Sequence, residues 1–373
     1  MKIGILTLPF NNNYGGYLQA YALMKVLKDM GHDVEPIYRK HNKRPLSLRI
    51  KHFLKTLIKC CIGRKHGRLI LDQEKELRER GVNIMPFVDK NIVPRTRPIY
   101  STNELRKKCS NKYDAIIVGS DQVWRAKYVS GIVSNMFLDF TEGCDVKCIA
   151  YAASFGSANP EYSEEEKSVC GKLIEKFDAI SIREENGLHV FNNFNWKVKT
   201  PQVVLDPTLL LCKEDYNELI PSGCKESKGK IFCYVLDKSI EVQNVINDIQ
   251  KTIGKPICEI SNIQKANAFL PPIETWLSYI RDADFVITDS FHGTVFSILF
   301  NRPFVVLANK ERGIDRFITL LNTCVLSDRM VMTKEEANRI IQKKIEWKEV
   351  NEMINEKKTK SIFFIEKSLK TKR

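Results

Sequence analysis

The chain has 373 residues, of which 43% are hydrophobic and 28% charged. That composition excludes a largely disordered polypeptide and exceeds what one hydrophobic core usually supports, so two domains are expected. The formal net charge of +14 favours phosphorylated substrates, anionic lipid or nucleic acid without choosing among them.

Residues 2–8 (KIGILTL) read as the first strand, and 17–30 as a helix with Leu18, Tyr21, Ala22 and Leu23 near helical spacing, stopped by Gly31. A second strand follows at 32–38. After the segment 39–71 the strand–helix alternation resumes with DAIIVGSD (114–121), KCIAYAASFG (147–156), a helix through 163–176, DAISIRE (178–184) and QVVLDPTLLL (202–211). A second series runs through strand 231–237, helix 239–253, strand 255–261, helix 273–281, strand 284–290, helix 292–300 and strand 303–308. Recurrent βα units predict two doubly wound α/β domains, over 1–200 and 201–345, followed by a C-terminal helix and basic tail over 346–373. Such sheets bind ligands outside the carboxyl ends of their strands.

No apolar run reaches the length of a transmembrane helix, and Met1 leads straight into the first strand, so a cytoplasmic protein is expected. Eleven cysteines without zinc spacing, an odd count, read as reduced thiols. No metal site is visible. No nucleic-acid module or aromatic and basic interleaving appears, so nucleic acid is not an expected partner.

Residues 39–71 carry eleven Lys or Arg and no Asp or Glu. Ile50, Phe53, Leu54, Leu57, Ile58 and Cys61 fall on one helical face, with Lys51, Lys55 and Lys59 elsewhere. The pattern fits a crossover helix packed on a sheet, and equally an interfacial helix lying on an anionic membrane through 43–68.

Two loops carry candidate chemistry. After the first strand, Asn13, Tyr14, Gly15 and Gly16 open a helix N-terminus, either as a plain βα turn or as a loop whose backbone N–H groups approach a ligand. Thr288-Asp289-Ser290-Phe291-His292-Gly293-Thr294 joins a strand to a helix. There Ser290 can cap, Gly293 leaves room over the first turn, and His292 can donate to a phosphate or merely fill the turn. Asp121 is placed either as an N-cap for a helix at Gln122 or as a carboxylate base, and Asp206 before Pro207 reads as a turn former.

The ordered blocks NNNYGGYLQAYAL, GSDQVW, AASFG, SIREENG, VLDPTLLL and TDSFHGTVFSILFNRPFVVL resemble the polysaccharide pyruvyl transferase family. The resemblance implies two Rossmann-like domains facing across a cleft, similar to B-type glycosyltransferases. It also implies phosphoenolpyruvate as co-substrate, with no other cofactor, and a sugar of a polysaccharide or lipid-linked precursor as acceptor. By position, His292 matches the family's phosphate-binding histidine and Arg183 its basic residue after the strand at the domain junction. Some members carry arginine where this chain has Ser290, a charge that Arg316 or Arg312 could replace. The implied site has His292 and Asp121 as catalytic groups. It places Arg183, Ser290, Phe291, His292, Gly293 and Arg316 around the donor, and Asn13, Tyr14, Gly15 and Gly16 around the acceptor. A nucleotide-sugar glycosyltransferase of the same architecture and a catalytically idle glycan-binding relative are the alternatives.

Overall fold

The computed structural model describes residues 1–43, 46–47, 50, 53–54, 57–58, 73–223, 227–237, 239–260, 269–308 and 313–370. The sequence pattern resolves into two parallel sheets. The first contains β1 (Lys2–Leu6), β2 (Asp33–Ile37), β3 (Ala115–Asp121), β4 (Lys147–Ala153), β5 (Ala179–Ile182) and β6 (Gln202–Val203), in the order β2-β1-β3-β4-β5-β6. The second contains β7 (Ile231–Tyr234), β8 (Ile257–Glu259), β9 (Phe285–Thr288), β10 (Phe304–Leu307) and β11 (Met330–Val331), in the order β11-β10-β9-β7-β8. Central strands are enclosed on both sides, which explains the apolar run Ala115-Ile116-Ile117-Val118 in β3, every residue of which is buried.

The helices that position the site are α1 (Tyr14–Asp29), α2 (Gln73–Arg80), α3 (Ile273–Asp282), α4 (Phe291–Leu299), α5 (Asp315–Thr323) and α6 (Trp347–Lys370). One hydrophobic core runs through both halves, joining Ile3, Leu18 and Tyr151 to Trp276, Val286 and Phe296. At the seam the Tyr14 ring stacks on Trp276, with centroids 5.4 Å apart, and its hydroxyl donates to Pro271 O at 2.9 Å. Helix α6 returns to the first sheet. There Leu205 N donates to Ser361 Oγ at 3.0 Å, Lys147 Nζ to Leu369 O at 2.5 Å, and Phe364 meets Tyr151.

The strand expected over 202–211 shrinks to Gln202–Val203, because Pro207 starts a 3-10 turn through Leu210. No helix begins at Gln122. Asp121 instead ends β3 with φ 70, and Gln122 and Val123 continue as irregular chain. In the basic segment, Leu46, Ile50, Phe53, Leu54, Leu57 and Ile58 are helical. Leu46, Ile50, Leu54 and Ile58 are exposed rather than packed on a sheet. Lys51, Lys55, Lys59, Cys61 and Arg312 lie outside the described residues.

Candidate active site

Strand order fixes where a ligand can enter. In the first sheet β1 connects outward to β2 while β3 lies on its other side, and in the second β7 is flanked by β8 and β9 in the same way. Each sheet therefore has a topological switch point, where the loops leaving adjacent strands part and open a crevice. A cavity of about 290 Å³ lies at both. Leu8 to Asn13 follow β1, Asp121 and Gln122 end β3, Leu236 follows β7, and Asp289 to His292 follow β9, all on its wall.

Two helix N-termini open onto this space. Asn13 caps α1, its side-chain oxygen accepting from Gly15 N at 3.2 Å, and Ser290 caps α4 by accepting from Gly293 N at 3.3 Å. The remaining N–H groups of the first turns attract an anion, as do the partial positive charges of the helix ends.

The expected residues divide into those on the wall and those behind it. Asn13, Tyr14, Gly16, Asp121, Ser290, Phe291, His292 and Arg316 line the cavity. Gly15, Gly293 and Arg183 do not line it. The space over Gly15 is filled by the His292 ring, and that over Gly293 by Thr288, whose Oγ1 would lie 2.4 Å from an added Cβ. Both glycines serve close packing of protein groups, not the approach of a ligand.

Arg183 is enclosed among carboxylates. Its Nη1 donates to Asp206 Oδ2 at 2.9 Å, Nη2 to Asp121 Oδ1 at 3.3 Å, and Nε lies 3.7 Å from Glu184 Oε2. This arrangement departs from the direct donor contact expected for Arg183. Burial opposes its charge, but the three carboxylates raise its pKa above the ordinary arginine value.

Arg316 is the opposite case. It reaches the cavity from α5, its Nε is enclosed without a hydrogen-bond partner among the described residues, and its guanidinium lies 5.5 Å from the Phe291 ring centroid. The Arg183 guanidinium lies over the same ring at 4.5 Å. Desolvation, then the like charge of Arg183, push the Arg316 pKa down to about 10. A cation held under such stress gains from an incoming anion. The Asp289 carboxylate nearby is engaged by Leu236 N and Asp237 N at 2.8 and 2.9 Å.

Phe10, Asn11 and Asn12 of the β1–α1 loop and Asp289 of the β9–α4 motif also line the wall, as do Arg80 and Tyr128, which sequence reading did not assign to the site. Arg80 arrives on α2, immediately after the charged segment, where no local pattern marks a ligand group. Asp206, read as a turn former, does cap the 3-10 turn, but its Oδ2 also stands 3.7 Å from His292 Nε2.

A two-sheet parallel α/β protein with its cavity at paired switch points has the architecture of the B-type glycosyltransferase fold. It resembles the Neisseria meningitidis UDP-GlcNAc 2-epimerase with bound UDP-GlcNAc at 10% identity and a TM-score of 0.51, over 99% of each chain. It is also similar to another UDP-N-acetylglucosamine 2-epimerase, at 11% identity and a TM-score of 0.50, over 95% of this chain and 90% of that one. At these identities the likeness concerns fold alone. No curated protein sequence matches the chain. The model of the polysaccharide pyruvyl transferase family matches residues 13–311, and the chain belongs to that family.

Proposed function

We propose that the protein transfers a pyruvyl group from phosphoenolpyruvate to two hydroxyls of a sugar, on a polysaccharide or its lipid-linked precursor, forming a ketal and releasing phosphate. The observation that carries this reading is the convergence of the α4 N-terminus, His292 and the Arg316 guanidinium on one cavity. Phosphoenolpyruvate brings a phosphate and a carboxylate, and Arg316 with the helix-end N–H groups supplies cationic and donor partners for both.

Transfer begins with protonation of the methylene carbon of the enol, which leaves an oxocarbenium-like centre for the first sugar hydroxyl to attack. Loss of phosphate and attack by the second hydroxyl close the ketal. Of the two hydroxyl protons, one replaces that used in forming the methyl group and the other leaves with phosphate. His292 is the proton donor in this scheme, because its imidazole borders the cavity in the first turn of α4, beside the anion site. Asp121, on the wall and tethered to Arg183, takes the hydroxyl proton. The chemistry is acid–base throughout, with phosphoenolpyruvate as co-substrate and no further cofactor in the scheme. Arg183 acts from behind the wall, fixing Asp121 and Asp206.

The basic segment 43–68 docks the enzyme on an anionic membrane surface in the same proposal. Leu46, Ile50, Leu54 and Ile58 recur every fourth residue and are exposed, within a segment free of acidic residues.

The decisive assay incubates the protein with phosphoenolpyruvate or a UDP-sugar and a panel of glycosides, following phosphate release and product mass. Phosphate release coupled to a pyruvyl mass gain supports the proposal. Sugar transfer from the UDP-sugar instead replaces it with glycosyl transfer, and binding of glycosides without turnover with an idle relative.

A further inference from the structure

The scheme above gives the enclosed Asp206 carboxylate no task of its own. Asp206 Oδ1 accepts from Thr208 N at 3.0 Å and Thr208 Oγ1 at 2.7 Å, which fixes the carboxylate plane at the start of the 3-10 turn. Its Oδ2 accepts from Arg183 Nη1 at 2.9 Å and Ser120 Oγ at 3.2 Å, and lies 3.7 Å from His292 Nε2. That ring nitrogen is itself enclosed and has no hydrogen-bond partner among the described residues. A separation of 3.7 Å is within reach of an ion pair but too long for a hydrogen bond, and such contacts in unliganded sites often tighten when substrate is in place.

We propose that Asp206 is the positioning residue for His292: it keeps a proton on Nε2, so that Nδ1 is the nitrogen the imidazole presents to the donor. The proposal rests on the reading that His292 acts on phosphoenolpyruvate, and three observations carry it. The first is the character of Asp206. Thr208 N, Thr208 Oγ1 and Arg183 Nη1 donate to its oxygens, and the Ser120 hydroxyl, whose single proton is shared with Ala152 O at 3.0 Å, lies 3.2 Å from Oδ2, the setting of an ionised carboxylate. Burial alone would raise its pKa, but His292, Arg183 and Thr208 hold it well below the usual carboxylate range. An ionised acceptor is best met by an N–H, which assigns the proton to Nε2.

The second observation is how the ring is seated. A Cβ added at Gly15 would lie 1.9 Å from Nδ1, 2.2 Å from Cγ and 2.6 Å from Cε1, which puts it over the ring face, so the first turn of α1 packs on that face while His292 borders the cavity. That turn borders the cavity through Tyr14 and Gly16, and its free N–H groups attract the same anion that Nδ1 would meet.

The third is the disposition of surrounding charge. Asp121 and Glu184 are placed against Arg183, Asp289 is held by backbone N–H groups, and Arg316 lies over Phe291. Among the described residues, Asp206 is the acidic group within ion-pair reach of His292. In the transfer step the imidazolium gives its Nδ1 proton to the enol carbon and regains one released by the sugar hydroxyl, while Nε2–H persists. The arrangement has the logic of a carboxylate that fixes tautomer and orientation without itself changing protonation.

Proton-detected nitrogen NMR on the whole chain, labelled with 15N-histidine, tests this without any substrate. An enclosed N–H facing a carboxylate exchanges slowly enough to be seen, and ring couplings tell Nε2 from Nδ1. The expected spectrum has a protected Nε2–H that vanishes in His292→Gln and is lost or strongly displaced in Asp206→Asn. Ser120→Ala, which removes only a neighbouring donor, leaves it in place. A protected proton on Nδ1, no protected proton on His292, or an Nε2–H indifferent to Asp206→Asn would overturn the assignment. Should Asp206→Asn fail to fold, Asp206→Glu, which keeps the charge but moves the carboxylate, takes its place: a displaced Nε2–H signal is expected, and an unmoved one would overturn the assignment. Because the readout needs no turnover, a negative transfer assay and a negative spectrum refute different statements.

Discussion

Gly15 and His292 touch across the seam between the two sheets, so closely that a methyl group on Gly15 would lie 1.9 Å from His292 Nδ1. The imidazole on the second half is seated by the first turn of α1 on the first half. Gly15→Ala is therefore expected to displace the ring while leaving the fold recognisable by circular dichroism. Misplacing a reacting group by about 1 Å costs on the order of 100-fold in rate, and steady-state turnover should fall by that order.

His292→Ala removes the proposed proton donor outright. Pyruvyl transfer should drop by roughly 10²–10⁴-fold, the usual worth of a positioned acid or base, with a normal far-ultraviolet spectrum. Near-normal turnover in the folded variant would take His292 out of the mechanism.

Arg316→Ala should separate stability from binding. The folded protein holds this guanidinium with its pKa depressed to about 10, and a base with a depressed folded pKa destabilises the fold at every pH below that value. The penalty fades only between about 10 and the unfolded arginine value above 12. At neutral pH the variant should melt no earlier than the parent. Its affinity for phosphoenolpyruvate by calorimetry should fall about 10- to 100-fold, the worth of one charged hydrogen bond at ~1.5–3 kcal/mol.

The strand–helix alternation was readable because periodicity records burial, and burial decides sheets and helices. Residues 284–300 illustrate this: the apolar run Phe285-Val286-Ile287 became β9 and the following turn became the α4 N-terminus. Ser290 and His292 were visible for the same reason, since switch-point loops follow strands. Asp206 and Arg183 were only partly legible. Asp121 and His292 reach them from other strand ends, and although Glu184 follows Arg183 directly in the chain, no local pattern reveals that Arg183 spends its charge on carboxylates. Gly15 was legible as a need for space, but the occupant of that space was another residue.

Arg183→Lys should weaken donor binding and lower the melting temperature together. A single ammonium cannot reproduce the guanidinium fork that meets Asp121 and Asp206 at 3.3 and 2.9 Å. Leaving buried carboxylates poorly paired costs up to about 3–5 kcal/mol. Differential scanning calorimetry and donor titration measure the two effects, and an unchanged melting point would contradict the structural role.

Acid should erode stability through Asp206. Its folded pKa is lowered, so its contribution is complete above the unfolded value of about 3.9 and is lost as pH falls below it. Urea unfolding of the parent should steepen in pH dependence below about pH 4, and Asp206→Asn should flatten that slope.

Vesicle co-sedimentation checks the basic segment. Binding to anionic vesicles should be strong at low salt and weaken with added salt, because each basic residue near the surface contributes about 1 kcal/mol. Changing Lys51, Lys55 and Lys59 to Glu should abolish it in a folded protein. Binding indifferent to those changes would leave the exposed Leu46, Ile50, Leu54 and Ile58 without this role.

The return of α6 to the first sheet gives the molecule a mechanical property. The chain passes between the halves twice, once after β6 and once along α6, and the two passages are fastened together where Leu205 N meets Ser361 Oγ. Two passages tied at one point resist the sliding of one half past the other, so the seat of the His292 ring on Gly15 is kept in register by chain connectivity as well as by the shared core.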